Sequence, residues 1–265
     1  MNITGKKILL TGASGGIGEA FARMLDHEGA ELMLAGRNAA SLEKINTTLG
    51  KRHRIVVADL GTDEGRTAVY TLCCRTGIDM LINNAGISDF APLEEQQPET
   101  ICQMIHTNLL APILLTQSLL PLLKMARAGM VINIGSTFGT IGYPGFSAYS
   151  ATKFGLRGFT EALRRELGDS TISVRYLSPR ATRTDMNSDI VNEMNCALGN
   201  ATDTPEQVAV ALKLLITGKK QSLYLGWPEK LFVRINSLFP SLVDGAIAKQ
   251  LSTILAFARR ARSIL

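Results

Sequence analysis

Residues 7–25 read KILLTGASGGIGEAFARML. The first five residues form a short apolar run, which is typical of a strand buried on both faces. Ile17, Phe21 and Leu25 share one face of a helix at this spacing. Glycines between a strand and a helix let the backbone approach a phosphate, which the helix N–H groups and dipole can bind. The stretch predicts a strand, a phosphate-binding turn and a helix, and a glycine turn without a ligand is the alternative.

Similar apolar runs recur along the chain. They are Leu32–Ala35, Ile55–Ala58, Met80–Asn83, Met130–Ile134, Ile172–Leu177 and Leu223–Leu225. Longer segments with helical spacing separate them, and this alternation predicts parallel βαβ units with right-handed crossovers. We therefore expect an α/β fold: a Rossmann-like, doubly wound parallel sheet flanked by helices. No break in composition precedes residue 226, so residues 1–226 are predicted to be one domain.

Composition excludes several classes of protein. The 265 residues are 46% hydrophobic and 19% charged, which argues against a disordered or coiled-coil chain. The net charge is +5, and residues 229–265 carry +4 of it through six basic and two acidic residues. Because the charge is local, no nucleic-acid partner is expected. The four cysteines and three histidines form no zinc pattern, so no metal site is expected.

The start of the chain leads directly into the first apolar strand, without room for a signal sequence. The prediction is therefore a cytoplasmic protein. Thr100–Leu123 and Ala128–Thr152 are uncharged and long enough to raise the question of a membrane span. The first contains His, Asn and two Pro residues, and the second is rich in Gly and Ser. Neither is expected to cross a bilayer.

Two residues after the second and third strands bear on a dinucleotide. An acidic residue at the end of the second strand commonly binds the ribose of NAD, whereas Arg suits the 2′-phosphate of NADP. Here that position is Arg37, and no acid lies between Glu31 and Glu43. NADP(H) is therefore favoured over NAD(H), with a solvated loop arginine as the alternative. Asp59 could accept a bond from the adenine amino group, or could be an ordinary turn or capping aspartate.

Tyr149 and Lys153 are four residues apart, so they share a face of a helix. An ammonium group near a phenol stabilises the phenolate, which predicts a tyrosine pKa below its usual value near 10. The tyrosine could then exchange a proton with a substrate. Ser136 follows the fifth strand and could polarise the same substrate oxygen, although its alternative role is that of a cap.

Together with Asn83-Asn84-Ala85-Gly86 and Asn108, these residues resemble the short-chain dehydrogenase/reductase superfamily in order and spacing, from about residue 5 to residue 226. The resemblance implies an oxidoreductase in which Asn108 bends a helix and holds a water, Ser136 orients a carbonyl and Tyr149 exchanges its proton. The implied cofactor-binding residues are Gly12, Ser14, Gly16, Ile17 and Gly18 at the pyrophosphate, Arg37, Asp59, Asn84 and Gly86 at the adenosine, and Tyr149, Lys153, Pro179 and Thr184 at the nicotinamide end.

One position departs from the superfamily pattern. Arg180 stands where a Gly usually follows the proline after the sixth strand, so either the loop differs or Arg180 is strained. Arg180 and Arg183 could favour acidic substrate groups, or could simply face solvent. Residues 185–204 show little regular pattern and fit a mobile substrate lid.

Residues 227–265 exceed the usual superfamily length and predict an amphipathic, basic, helical extension that is not an independent domain. It could contact an anionic membrane surface peripherally, or pack on its own or a neighbouring subunit. Small residues on the helix of Tyr149, together with the resemblance, predict a homodimer or homotetramer.

The expected activity is NADPH-dependent carbonyl reduction, or the reverse alcohol oxidation, of a small molecule. The expected substrate is a hydrophobic ketone or a 3-oxoacyl compound. An NAD-dependent alcohol dehydrogenase and a non-catalytic dinucleotide-binding regulator or scaffold are the alternatives.

Overall fold

The computed structural model describes residues 2–227 and 229–262, and the side chains of residues 229 and 230 are not described. The strands in these ranges form one parallel sheet in the order β3-β2-β1-β4-β5-β6-β7. They are β1 (Lys7–Thr11), β2 (Glu31–Gly36), β3 (Arg54–Val57), β4 (Met80–Asn83), β5 (Met130–Ile134), β6 (Ser173–Ser178) and β7 (Ser222–Tyr224). The doubly wound α/β fold is confirmed, and each predicted strand agrees within one residue at its ends.

The helices alternate with the strands and then continue as the C-terminal extension. They are α1 (Gly16–His27), α2 (Ala39–Thr48), α3 (Asp63–Thr76), α4 (Pro98–Ile105), α5 (Ala111–Met125), α6 (Ser147–Glu166), α7 (Asp189–Ala197), α8 (Pro205–Thr217), α9 (Glu229–Leu238), α10 (Pro240–Ala248) and α11 (Leu251–Arg262). A π-helical turn, His106–Leu110, joins α4 to α5. The predicted extension begins at 227, and its residues 228 and 263–265 lie outside the described part.

Alternate residues of each strand feed two cores, one on each face of the sheet. In β1, Ile8 and Leu10 pack into the core that contains Phe21 of α1 and Leu212 of α8. Leu9 points the other way, into the core formed with helices α3, α5 and α6. This two-sided burial explains why the strands are continuous apolar runs. The strand order reverses between β1 and β4, and such a switch point opens a crevice at the carboxyl ends of the strands.

The extension packs at that same end. Ile254 and Ala258 of α11 are fully buried in a third core with Phe146, Tyr149 and Met194. The basic residues of α11 meet acids of the domain: Arg260 lies 2.7 Å from Glu193, and Arg262 lies 2.7 Å from Asp89. Helix α11 is therefore a helix packed on its own domain, which is one of the two roles predicted for the extension.

Two segments within the described residues are long and apolar enough to cross a membrane by length and composition. The first is the continuous helix Pro98–Met125, which supplies buried residues to the core of the domain. The second is the pair Leu231–Leu238 and Pro240–Ala248, which is bent by 116°. The apolar residues of the first segment are explained by its packing in the core of the domain.

Candidate active site

A cavity of about 620 Å³ runs along the carboxyl ends of the strands. The turn after every strand from β1 to β6 contributes to its wall. Of the residues predicted for the site, the structure brings these to the cavity: Gly12, Ser14, Gly16, Ile17, Gly18, Arg37, Asp59, Asn84, Gly86, Ser136, Tyr149, Lys153, Pro179 and Thr184. Asn108 lies behind the wall and is fully buried.

The turn between β1 and α1 needs its glycines for space. Gly12 has a φ of +63°, and a Cβ there would lie 2.7 Å from the Cα of Ala85. A Cβ on Gly18 would lie 2.0 Å from the Gly12 carbonyl oxygen, and one on Gly16 would lie 2.8 Å from Thr184. The N-cap of α1 is Gly15, and no side chain caps the helix. Backbone N–H groups at the start of α1 therefore line the cavity, and this arrangement fits a phosphate.

Asn84 ties the β4 end to this turn. Its side-chain Nδ2 donates to the carbonyl oxygens of Thr11 (3.0 Å) and Gly12 (3.1 Å), and the Thr11 hydroxyl accepts the Asn84 N–H at 2.9 Å. These bonds hold together the two strands that flank the switch point. They therefore fix the centre of the crevice.

Arg37 and Asp59 lie at the far end of the cavity, and both are exposed. Arg37 precedes Asn38, whose side chain caps α2 by accepting the Ser41 N–H at 2.9 Å. Asp59 accepts the N–H of Gly61 at 2.9 Å, which makes it a turn aspartate as well as a lining residue. Both predicted roles of Asp59 are therefore geometrically compatible.

Tyr149 and Lys153 lie on α6, and both are buried on the floor of the cavity. The Lys153 ammonium donates to the Ile134 carbonyl at 3.1 Å and lies 5.7 Å from the centre of the Tyr149 ring. Ser136 follows β5 and accepts the Phe138 N–H at 3.2 Å, and its hydroxyl lies near enough to Tyr149 to lower the pKa of that phenol. The three predicted side chains are therefore brought together at one point.

The pKa of Tyr149 is raised in the structure, whereas the sequence predicted that it would be lowered. Burial raises the pKa of Tyr149 to about 12, and the nearby Ser136 hydroxyl offsets only part of that rise. Burial also lowers the pKa of Lys153 to about 8. Removal from water disfavours both charged forms, and this effect outweighs the attraction between ammonium and phenolate on which the prediction was based. The phenol of Tyr149 is consequently protonated at neutral pH.

Asn108 occupies the π-helical turn, which confirms that the helix is irregular there. Its side chain accepts the Ile87 N–H at 2.8 Å and donates to the Ile87 carbonyl at 2.8 Å and to the Thr152 hydroxyl at 3.2 Å. A Cβ on Gly86 would lie 3.3 Å from the Asn108 Oδ1 and 3.6 Å from the Lys153 Nζ. Asn108 therefore fixes the loop after β4 against α6.

The loop after β6 accommodates Arg180 without backbone strain, because within the described residues Lys51 is the non-glycine residue with a positive φ. The Arg180 guanidinium pairs with Asp203 at 2.7 Å, and both side chains are largely buried. The suggestion that Arg180 attracts acidic substrates is therefore not supported, since its charge is matched within the chain. Pro179 accepts the Thr137 N–H at 2.9 Å and so joins the loops that follow β5 and β6.

The predicted lid at 185–204 is more regular than expected. It contains α7, which Ser188 caps by accepting the Val191 N–H at 3.4 Å. Ile190, Val191 and Met194 are buried against the third core. Their spacing, with a serine cap before it, was the signal that could have predicted this helix.

Sequence reasoning missed Tyr176. It lies on β6 and is 1% exposed, and a Cβ on Gly135 would lie 2.0 Å from its hydroxyl oxygen. A Cβ on Gly139 would lie 2.7 Å from the same atom. The ring therefore supports the loop that carries Ser136. The sequence of β6 alone does not predict this contact, because the contact depends on Gly135 and Gly139, which follow β5.

Within the described residues, no group of three or more His, Cys, Asp or Glu side chains is arranged to hold a metal ion.

Comparisons with known proteins bear directly on this site. The short chain dehydrogenase family model matches residues 6–195. Dehydrogenase/reductase SDR family member 7B of Bos taurus is 32% identical over 254 residues, which cover 89% of this chain and 78% of the relative.

Two solved structures are also similar. The 3-ketoacyl-(acyl-carrier-protein) reductase from Brucella melitensis, complexed with NADH, is 26% identical with a TM-score of 0.77, over 84% of this chain and 96% of its own. A metagenomic short-chain oxidoreductase in complex with NADP is 28% identical with a TM-score of 0.72, over 85% and 98% respectively.

Proposed function

Because this chain belongs to the short-chain dehydrogenase/reductase family and is an oxidoreductase, we propose that it is an NADPH-dependent carbonyl reductase with Tyr149 as its proton donor. The observation that carries the proposal is the convergence of Ser136, Tyr149 and Lys153 in a cavity continuous with the glycine turn. The substrate class is a hydrophobic ketone or a 3-oxoacyl compound, and the 3-ketoacyl reductase among the similar structures supports this choice.

The chain's own residues supply the proton side of the reaction. The Tyr149 phenol, with a pKa raised to about 12, holds its proton at neutral pH and can give it to a carbonyl oxygen bound beside it. The Ser136 hydroxyl donates to the same oxygen and polarises the carbonyl. The Lys153 ammonium beside the Tyr149 ring stabilises the phenolate that remains.

The cavity fits a dinucleotide, which would supply the hydride to the carbonyl carbon. The glycine turn and the uncapped start of α1 would bind its pyrophosphate, with Gly12, Ser14, Gly16, Ile17 and Gly18 at the contact. Asn84, Gly86 and Asp59 would line the adenosine, and Arg37 would bind a 2′-phosphate. Lys153, Pro179 and Thr184 would lie at the nicotinamide end, and Asn108 would act as a positioning residue.

The variant Tyr149→Phe tests the proposal. It removes the proton donor but keeps the ring that packs in the third core. We expect NADPH oxidation with 3-oxoacyl substrates to fall at least about 100-fold, because general acid catalysis contributes about 10²–10⁴-fold. The affinity for NADPH should change little. Turnover at the wild-type rate in the variant would refute the assignment of Tyr149.

We also propose a homo-oligomer formed through the exposed face of α6. Ala151, Phe154 and Gly158 lie on this face, and Phe154 is 42% exposed. The sequence also suggests Ala148 and Gly155 as small residues for such a contact, but Gly155 faces inward, since a Cβ there would lie 2.9 Å from Leu109 of the same chain. Light scattering should show a dimer or tetramer for wild type, and Phe154→Glu should shift the mass toward the monomer.

We further propose that the extension contacts lipid peripherally through α9 and α10 rather than through its basic residues, since the basic end of α11 is paired with the domain. Leu238, Phe239 and Leu242 are 72%, 59% and 65% exposed around the bend between α9 and α10. Apolar side chains at a sharp helical bend suit the interfacial region of a bilayer. Wild type should co-sediment with vesicles at low and high salt, and Leu238→Ser should weaken this binding.

The matched control for lipid binding is Leu214→Ser. Leu214 lies on α8, outside the extension, and its side chain has a similar exposure (61%). Vesicle binding that is equal in the two variants, or absent in wild type, would contradict a lipid contact at this bend.

A further inference from the structure

A second cavity, of about 250 Å³, lies beside the candidate active site. One wall is the loop after β5, including Ile141 and Tyr143, and another is the segment that joins α7 to α8. The outer wall belongs to the C-terminal extension, which contributes Phe232, Val243, Ala246, Ile247 and Gln250. The family's usual core ends before these residues, so this cavity exists only because the chain continues past β7.

The two cavities share a partition. Thr137, Phe138, Arg180, Ala181 and Asn195 line both of them. Two of these residues directly follow Ser136 along the chain, and two directly follow Pro179. The two cavities therefore adjoin each other beside the hydroxyl groups that would hold the substrate carbonyl.

Two of the polar side chains on the wall are matched by other groups of the chain, whereas the buried Tyr143 hydroxyl has no hydrogen-bond partner among the described residues. Arg180 pairs with the Asp203 carboxylate at 2.7 Å. Asn200 donates to the Asn195 side-chain oxygen at 3.2 Å. The Tyr143 ring stacks on Phe138 with centroids 4.8 Å apart, which presents flat apolar surface. A ligand in this cavity consequently gains mainly from burial of its own apolar surface.

We propose that the second cavity binds the alkyl tail of the substrate and makes the enzyme selective for 3-oxoacyl compounds of medium chain length. The inference rests on the proposed carbonyl reduction, which places the reacting carbonyl at Ser136 and Tyr149. The tail then passes Phe138 and enters between the loop after β5 and α10. Each methylene buried there contributes about a fourfold gain in kcat/KM, because its transfer from water is worth about 0.8 kcal/mol.

Helix α10 offers a matched pair of variants. Ala246 and Ala248 are both exposed and two residues apart, but only Ala246 lines the second cavity. Ala246→Phe adds bulk at the cavity wall, whereas Ala248→Phe adds the same bulk elsewhere on the helix. Neither residue belongs to the candidate catalytic or cofactor-binding set.

The experiment compares N-acetylcysteamine thioesters of 3-oxobutanoate and 3-oxodecanoate, which differ only in the tail. Wild type and Ala248→Phe should reduce the longer substrate with kcat/KM at least tenfold higher than the shorter one. Ala246→Phe should lose most of that ratio while its kcat/KM for 3-oxobutanoate stays within about twofold of wild type. An unchanged ratio in Ala246→Phe, or a wild-type preference for the shorter tail, would overturn the proposal.

Two further measurements test the proposal if Ala246→Phe does not fold or if wild type does not reduce the thioesters. If Ala246→Phe does not fold, Phe232→Ala widens the cavity instead and should raise kcat/KM for 3-oxotetradecanoyl relative to 3-oxodecanoyl thioester; no change would overturn the proposal. If wild type reduces neither thioester with NADPH or NADH, the carbonyl reductase assignment fails. Calorimetric titration with 2-decanone then decides the cavity: binding at least tenfold weaker in Ala246→Phe than in Ala248→Phe supports it, and equal binding overturns it.

Discussion

Replacement of Lys153 by Met should make the folded protein less dependent on pH and more stable near neutrality, although it should abolish activity. Burial lowers the pKa of Lys153 from 10.5 to about 8. Because the folded-state value lies below the unfolded one, the unfolded chain binds the extra proton between about pH 8 and pH 10.5. The free energy of unfolding of wild type therefore rises with pH across this window, and below about pH 8 the full cost of the buried charge is present.

The magnitude follows from the size of the shift. About 2.5 pH units correspond to about 3 kcal/mol at pH 7, since one unit is 1.36 kcal/mol. At pH 10 less than about 1 kcal/mol of this cost remains, so the difference between the two proteins should change by about 2 kcal/mol from pH 7 to pH 10. Loss of the bond to the Ile134 carbonyl costs the variant about 1–3 kcal/mol, but this cost is the same at both pH values.

Urea unfolding followed by far-ultraviolet circular dichroism at pH 7 and pH 10 measures this change. Lys124→Met, at an exposed position on α5, is the matched control and should differ from wild type equally at both pH values. A stability difference between wild type and Lys153→Met that does not change with pH would refute the reasoning.

Three more outcomes are expected. Arg37→Ala should reduce the preference for NADPH over NADH, as measured by titration of each cofactor, and a wild type that binds NADH more tightly would contradict the role of Arg37. Gly135→Ala should lower the free energy of unfolding by about 1–3 kcal/mol because its Cβ would meet Tyr176, whereas Gly142→Ala, with open space around its Cβ, should have little effect in the same assay. The kcat/KM for reduction should fall above about pH 8 as Lys153 loses its charge, and a profile flat to pH 10 would show that this charge is not required.

The sheet could be predicted because its central strands are buried on both faces and so appear as uninterrupted apolar runs. In β1, Ile8 and Leu10 serve one core and Leu9 the other, which requires every position to be apolar. The strand ends were misplaced by at most one residue, because several strands begin or end on a polar residue, such as Glu31, Arg54 and Ser178, which the hydropathy pattern omits.

Some features of the candidate site could be predicted from the sequence, and others could not. The four-residue spacing of Tyr149 and Lys153, with Ser136 after the fifth strand, predicted which side chains would meet, and the structure brings all three together. The predicted direction of the Tyr149 pKa shift was wrong, because a four-residue spacing does not show how deeply the side chain is buried. The ion pair between Arg180 and Asp203 could not be predicted either. The two residues are far apart in the sequence, and the path of the lid between them brings them together.

The extension packs against both the candidate active site and the second cavity. Ile254 and Ala258 of α11 share a core with Tyr149, and α10 supplies one wall of the second cavity. The ion pairs from α11 to Asp89 and Glu193 fix its position relative to the loop after β4 and to α7. Any displacement of α11 would therefore disturb the packing around Tyr149 and the lid together. Under the proposed function, α10 would select the substrate tail and α11 would support the proton donor, so the two roles would be coupled through adjacent helices of one extension.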